Sequence, residues 1–344
     1  MPEGHDHEST AGKSNEAVAA DLYEKGRSLF QLRNRRRGRT RNKSSENKEN
    51  TAFQCFLKAA QGNHLDAINA VAWMYLNGKG CKIDTKEAFR WYVKSSNLGS
   101  SAGQYNLASL YKNGMGCKRD EEKAIELYEK AALQNHVNAQ LCLGNIYEKG
   151  TENVARDYTK AMAWYLKAAK NGDAVAMCKL AWMHLYGKGV EKNENKSIDW
   201  YQEAAKRDCT LAKYNLGLMF EHGKGVQRCT KTAVKWYLDA ADAGLPEAQF
   251  SLGKMYLDGL GVHHSDKKGF QWIFAAARQG HVESQYLLAT MFEMGRGIEG
   301  NKANLEMALG WYEKASNLGH QRAKRALCIL TKDIDLIREQ ASTW

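Results

Sequence analysis

Proline is nearly absent, with 2 residues in 344, which argues against a collagen-like or mucin-like chain. No stretch approaches about 18 uninterrupted apolar residues, so no membrane-spanning helix is expected. The amino terminus, Met1-Pro2-Glu3-Gly4-His5-Asp6-His7-Glu8, lacks the apolar core of a secretory signal. Cys-x-x-Cys pairs are missing, and with them the usual structural zinc spacing. Eight cysteines in a chain of this length without a signal read as reduced thiols, and a cytoplasmic or nuclear protein is expected.

Lys and Arg exceed Asp and Glu by 11, and the excess is concentrated. Between Arg33 and Asn50 stand Arg33, Arg35, Arg36, Arg37, Arg39, Arg41, Lys43 and Lys48 against only Glu46 and Glu49. The rest of the chain carries about half the excess, so its basic balance does not make the folded body a nucleic-acid surface.

What the sequence has in abundance is repetition. Glycines recur at Gly78, Gly114, Gly150, Gly187, Gly223, Gly259 and Gly295, a spacing of 36 or 37 residues. Each is followed by a large pair: Trp91-Tyr92, Leu127-Tyr128, Trp164-Tyr165, Trp200-Tyr201, Trp236-Tyr237, Trp272-Ile273 and Trp311-Tyr312. A period near 36 lies in the range of helical solenoids. Within each unit, sets such as Ala139, Leu143, Ile146 and Tyr147 fall on one face of a first helix, and sets such as Ala161, Trp164, Tyr165, Ala168 and Ala169 on one face of a second. Small residues let the helices approach while Trp and Tyr fill the remaining space.

The punctuation agrees independently. Asp84, Asp120, Asp157, Asn193, Cys229, Ser265 and Asn304 precede the second helices, and six of these seven are good N-caps. Gly99, Asn135, Gly172, Asp208, Gly244, Gly280 and Gly319 follow them, all of types that tolerate positive φ at a helix end. Pro246 falls in the first turn of a helix, where its missing N–H matters least. The third unit loses its second glycine and gains a residue near Thr151, and the seventh gains three around Glu299 to Ala303. Both insertions fall in the turn between paired helices.

An eighth unit is concealed at the amino end. Leu22-Tyr23-Glu24-Lys25-Gly26 looks like Ile146-Tyr147-Glu148-Lys149-Gly150, and Cys55-Phe56 with Ala59-Ala60 matches a second helix. The 16 additional residues between its halves are the basic segment, which is expected to loop out of the helix pair. The expected organisation is a disordered tail (1–15), a degenerate repeat (16–64) with a basic insertion (33–50), seven repeats (65–320) and a C-terminal capping helix (321–344).

On these residues the chain resembles the Sel-one-like repeat family, a relative of the tetratricopeptide class. Lys213 to Ala241 carries the pattern most fully: Leu216-Gly217, Met219-Phe220, Gly223-Lys224-Gly225-Val226, Ala233, Trp236-Tyr237 and Ala240-Ala241. The resemblance implies an all-α fold, an α/α superhelical solenoid of about eight antiparallel helix pairs with first helices lining its concave side. It also implies an adaptor or scaffold role rather than catalysis. Some members carry cysteine pairs that form disulfides. Here no two cysteines fall within one helix pair, and Cys81 and Cys117 occupy equivalent turns one repeat apart, beyond disulfide reach.

Projecting first-helix residues not needed for packing gives a candidate binding face: Trp73, Asn106, Asn145, Lys179, Trp182, Asn215, Glu221, His222, Lys254 and Asp258. With Asp66, Glu148, Glu247, Glu283 and Glu293 against Lys112, Lys149, Lys179 and Lys254, the groove is expected to be mildly acidic. The bland alternative for any one of these is a solvated helix face. Trp73 and Trp182 stand apart, because exposed indole is enriched in interface hot spots, although partial burial against the next repeat would also accommodate them.

The basic arm has three readings: nuclear import signal, phosphate-binding arm or solvated linker. It lacks interleaved aromatics, so single-strand stacking is not indicated. Folding back into an acidic groove is a further hypothesis for it. Gly99-Ser100-Ser101-Ala102-Gly103 and Gly295-Arg296-Gly297-Ile298-Glu299-Gly300 spell a nucleophile-elbow and a dinucleotide motif, but both join or follow helices and belong to the repeat punctuation. His263-His264 and His5-x-His7 lack a third metal ligand. The expected function is therefore a non-enzymatic scaffold without cofactor or metal, binding a protein or peptide on the concave face. A nuclear or nucleic-acid-associated factor using the arm is the alternative, and a hydrolase built on the solenoid is disfavoured.

Overall fold

The computed structural model describes residues 15–34, 43–298, 300 and 302–342. These fall into two compact units, one ending at Asn171 and one beginning at Gly172. The first contains α1 (Asn15–Asn34), α2 (Lys43–Gln61), α3 (Leu65–Asn77), α4 (Thr85–Asn97), α5 (Ser101–Asn113), α6 (Glu121–Leu133), α7 (Val137–Lys149) and α8 (Tyr158–Lys170). The second contains α9 (Ala174–Tyr186), α10 (Glu194–Ala205), α11 (Thr210–His222), α12 (Thr230–Asp242), α13 (Pro246–Asp258), α14 (Asp266–Arg278), α15 (Val282–Met294), α16 (Leu305–Asn317) and α17 (Gln321–Ser342). No strand occurs among the described residues. Within each unit every first helix packs on the second helix that follows it, and every second helix on the next first helix.

The second helices begin as the sequence predicts. Asp84, Asp120, Asp157, Asn193, Ser265 and Asn304 each accept a backbone N–H from the first helical turn, while Cys229 makes no such bond. Each such cap stabilises its helix by about 1 kcal/mol. All seven residues expected at the far ends have positive φ, including the non-glycines Asn135 and Asp208. Ser100 and Asp173 cap two first helices in the usual way, and others use a cap that standard preferences do not reveal: the Nδ1 atoms of His64, His136, His281 and His320 accept the amides of Ala67, Ala139, Ser284 and Ala323.

The large pair of each second helix divides its labour. Neighbouring residues on a helix point about 100° apart, so only one can face inward. That one is the second member: Tyr92, Tyr128, Tyr165, Tyr201, Tyr237, Ile273 and Tyr312 are all buried, packed among the alanines. The tryptophans, expected as core fillers, are half-exposed except for Trp311. Lysine ammonium groups cover three of them, Lys94 over Trp91 at 5.3 Å and Lys167 over Trp164 and Lys314 over Trp311 at 4.1 Å, within cation–π range.

The described ends of the basic insertion continue the helices on either side: α1 runs to Asn34 with 20 residues and α2 begins at Lys43 with 19, against 13 in most others. Lys43 to Asn50 is rich in Lys and Glu, without Gly or Pro, and propagates the helix. Arg33 and Lys43 stand on helical backbone at the two facing ends, whereas Arg35, Arg36, Arg37, Arg39 and Arg41 lie outside the described residues, as does the expected tail up to residue 14. At the carboxyl end α17 begins like a further first helix, with Ala323 and Leu330 buried.

Candidate functional site

The candidate face consists of first-helix side chains, some of which also bond to the second helices. In the first unit these include Trp73, Asn106 and Asn145. Trp73 is 43% exposed and its ring meets Phe30 of α1 edge-on, 5.9 Å between centroids. Asn106 and Asn145 are half-buried, and Asn145 accepts the Tyr165 hydroxyl at 2.9 Å.

In the second unit Trp182 is half-buried and lies 5.5 Å from the ring of Tyr186, which is 54% exposed. Lys179 is half-buried beside the core. Asn215 is half-buried and donates to the Leu211 carbonyl one turn back at 2.8 Å. His222 and Asp258 are exposed, and Lys254 is exposed with its ammonium 5.8 Å above Phe250. Trp73 and Trp182 belong to different units. Phe30 and Tyr186 complete the aromatic contacts but were not identified from the sequence, because neither occupies a position that repeats as an aromatic.

The acidic character of the face is altered by internal hydrogen bonds. Glu148, Glu221 and Glu293, each near the end of a first helix, accept the hydroxyls of Tyr165, Tyr237 and Tyr312 at 2.5 Å. Burial, followed by the hydrogen bond to these carboxylates, holds the three phenols well above the ordinary tyrosine range. These carboxylates are therefore acceptors for core hydroxyls as well as sources of surface charge.

Junctions between neighbouring repeats use two recurring devices. A buried glutamine near the start of a first helix clamps the preceding second helix: Gln140 donates to the Ala132 carbonyl and accepts from Asn171, and Gln249 donates to Ala241 and accepts from Gln279. The other is a pairwise slot between a first helix and the residue preceding the next one. Tyr105 stacks on His136 at 4.7 Å and Tyr286 on His320 at 4.5 Å, while Phe250 meets His281 at a tilt, 5.0 Å between centroids. Asn69 donates to Ser100 in the same slot at 3.1 Å.

At the junction of α9 and α11 the slot holds two cysteines, with the Cys178 and Cys209 sulfurs 3.3 Å apart. The sequence expectation that cysteines do not pair looked within helix pairs; this contact runs between them, across 31 residues. All eight cysteines are free thiols in the structure. Among the described residues no group of three His, Cys, Asp or Glu is arranged to hold a metal, and no helix is long and apolar enough to cross a membrane.

Eight segments of the chain match the Sel1 repeat, at residues 44–64, 65–100, 101–136, 137–173, 174–209, 210–245, 246–281 and 282–320. No curated protein matches the chain. Among solved structures it is similar to a protective antigen of uropathogenic Escherichia coli with an SLR fold, at 30% identity and a TM-score of 0.73, covering 90% of this chain and 63% of the antigen. The chain thus spans less than two thirds of that relative. It is also similar to a Sel1 repeat protein from Oxalobacter formigenes, at 29% identity and a TM-score of 0.74, covering 92% of this chain and 88% of the other. Proteins of this repeat type generally act as protein-interaction scaffolds and are typically non-catalytic. With matched segments running from residue 44 to 320 and the same helix-pair architecture, this chain belongs to the Sel1 repeat family.

Proposed function

We propose that the protein is a non-enzymatic scaffold that binds a protein or peptide partner on the first-helix face of its repeats, in the cytoplasm or nucleus. The observation that carries this reading is the pair of exposed aromatics held in place by a neighbouring ring, Trp73 by Phe30 and Tyr186 by Trp182. A large ring fixed on a helix gives up little side-chain freedom on binding and supplies extensive contact area. Asn215 and His222 on α11 and Lys254 and Asp258 on α13 add polar side chains along the first helices of the second unit, which suits orientation of a partner rather than turnover of a small substrate.

The test is capture from cell extract by the full chain, followed by affinity measurement on the recovered partner. Trp73→Ala with Tyr186→Ala is expected to weaken binding at least tenfold, about 1.4 kcal/mol. Full retention of affinity by the folded double variant would remove the face from consideration. A second reading, contact with nucleic acid through the arm from Arg33 to Lys48, is supported by its charge density. If about four of its cations met duplex phosphates, log K would fall with log salt at a slope of roughly −4, whereas face-driven binding would depend on salt only gently.

A further inference from the structure

The cysteine junction has two unlike members. Cys178 sits inside α9, 6% exposed. Cys209 is partly exposed at the N-cap of α11, where its sulfur faces the first amides of the helix without completing a cap hydrogen bond. A hydrogen bond from the Cys178 thiol, helped by the amides of Ala212 and Leu211, draws the Cys209 thiol below its usual range, against burial and the Asp173 carboxylate. The same bond, together with burial, pushes Cys178 up. A reachable thiolate with a protonated thiol directly behind it is the arrangement of an attacking and a resolving sulfur.

We propose that Cys178 and Cys209 form a reversible disulfide between neighbouring repeats, with a low-molecular-weight disulfide of the glutathione class as oxidant. The Cys209 thiolate attacks one sulfur of the oxidant, breaks its S–S bond, expels one thiolate and becomes a mixed disulfide. Cys178 then loses its proton to solvent and attacks the Cys209 sulfur, expelling the second thiolate. Two protein thiols are oxidised and one external disulfide is reduced to two thiols, a two-electron exchange that excess thiol reverses. Closure brings the sulfurs from 3.3 Å to about 2.05 Å. The bond would enclose the whole of α10 and clamp the two repeats that contain α9 and α11. Cys81 and Cys117, whose thiols burial pushes up, and the exposed Cys328 serve as internal comparisons.

The full chain is incubated at pH 7 with oxidised glutathione, quenched with acidic alkylating agent, digested with trypsin without reduction and mapped by mass spectrometry. The expected product joins the peptide 171–179 to the peptide 208–213 and disappears after dithiothreitol. Cys178→Ser, which keeps a hydrogen-bond donor beside Cys209, should trap glutathione on Cys209, with early labelling about tenfold above that of Cys328. Cys209→Ser should leave position 178 unmodified. Far-UV circular dichroism establishes that each variant is folded. The proposal is overturned if the folded wild type yields no joined peptide, if Cys178 is labelled in Cys209→Ser, or if Cys209 and Cys328 label equally.

Discussion

The hydroxyl of Tyr312, buried between α15 and α16, donates to the carboxylate of Glu293 at 2.5 Å. In the neighbouring repeat the corresponding positions are Ile273 and Leu257, both buried and both apolar. The two repeats thus solve one packing problem with a complete polar couple and a complete apolar one. Replacing Glu293 alone would take from the Tyr312 hydroxyl the acceptor it has here, and an unpaired buried group is costly.

Glu293→Leu should therefore cost about 2 kcal/mol, because the Tyr312 hydroxyl loses its acceptor, and Tyr312→Phe about 1.5 kcal/mol. The double variant should cost less than the sum by roughly 1 kcal/mol. Urea unfolding of the four proteins checks this, and strict additivity would mean that the bond carries no coupling.

Stability should fall on both sides of a plateau in pH. Burial raises the phenols of Tyr92, Tyr128 and Tyr201 along with the three bound to glutamate. Above about pH 10 unfolded tyrosines release protons that folded ones retain, so the folded state holds more protons and stability declines as pH rises. Burial lowers His136 and His281. Below about pH 6.5 the unfolded histidines take up protons first, so the unfolded state holds more and stability declines as pH falls. Melting measured from pH 5 to 11 tests both limbs. His136→Asn, a cap that does not titrate, should make the acid limb shallower.

Gln285 donates to the Ala277 carbonyl, but its own buried carbonyl has no partner. At the position from which Asn171 serves Gln140 stands Leu318, 57% exposed. Leu318→Asn should complete the clamp and stabilise the second unit by about 1 kcal/mol, read as a higher urea midpoint. Gln285→Ala in the same background should abolish the gain.

Two glycines with similar φ should respond very differently to alanine. At Gly116 a Cβ would lie 2.1 Å from the Thr85 carbonyl oxygen of the preceding repeat, whereas at Gly99 nothing lies within 4 Å. Gly99→Ala should cost about 1 kcal/mol for its left-handed backbone alone. Gly116→Ala should cost about 3 kcal/mol or more, since backbone must move. Comparable thermal shifts would mean that the junction yields easily.

The helix-pair fold was legible because its signals are local and repeated. Asp120 to Lys123 or Asn193 to Lys196 is a three-residue relationship, and six copies expose it. The buried partner of each large pair was not legible, since Trp and Tyr at adjacent positions compete and only packing decides. The candidate face was partly legible: helical projection finds Trp73 and Trp182, but not Phe30, which reaches Trp73 from a helix lengthened by the basic insertion. The cysteine contact was hidden because it spans 31 residues. Its signal was Asn69 to Ser100 and Tyr105 to His136, the same separation filled by other chemistry.

Among the seams of the second unit, one brings two sulfurs together and two set a histidine against an aromatic ring. Under denaturant or mechanical load, the order in which its hairpins part would then depend on the thiol content of the solution. Once Cys178 and Cys209 were joined, a bath of reductant would reopen the seam at α9 and α11 while leaving the seams closed by His281 and His320 as strong as before.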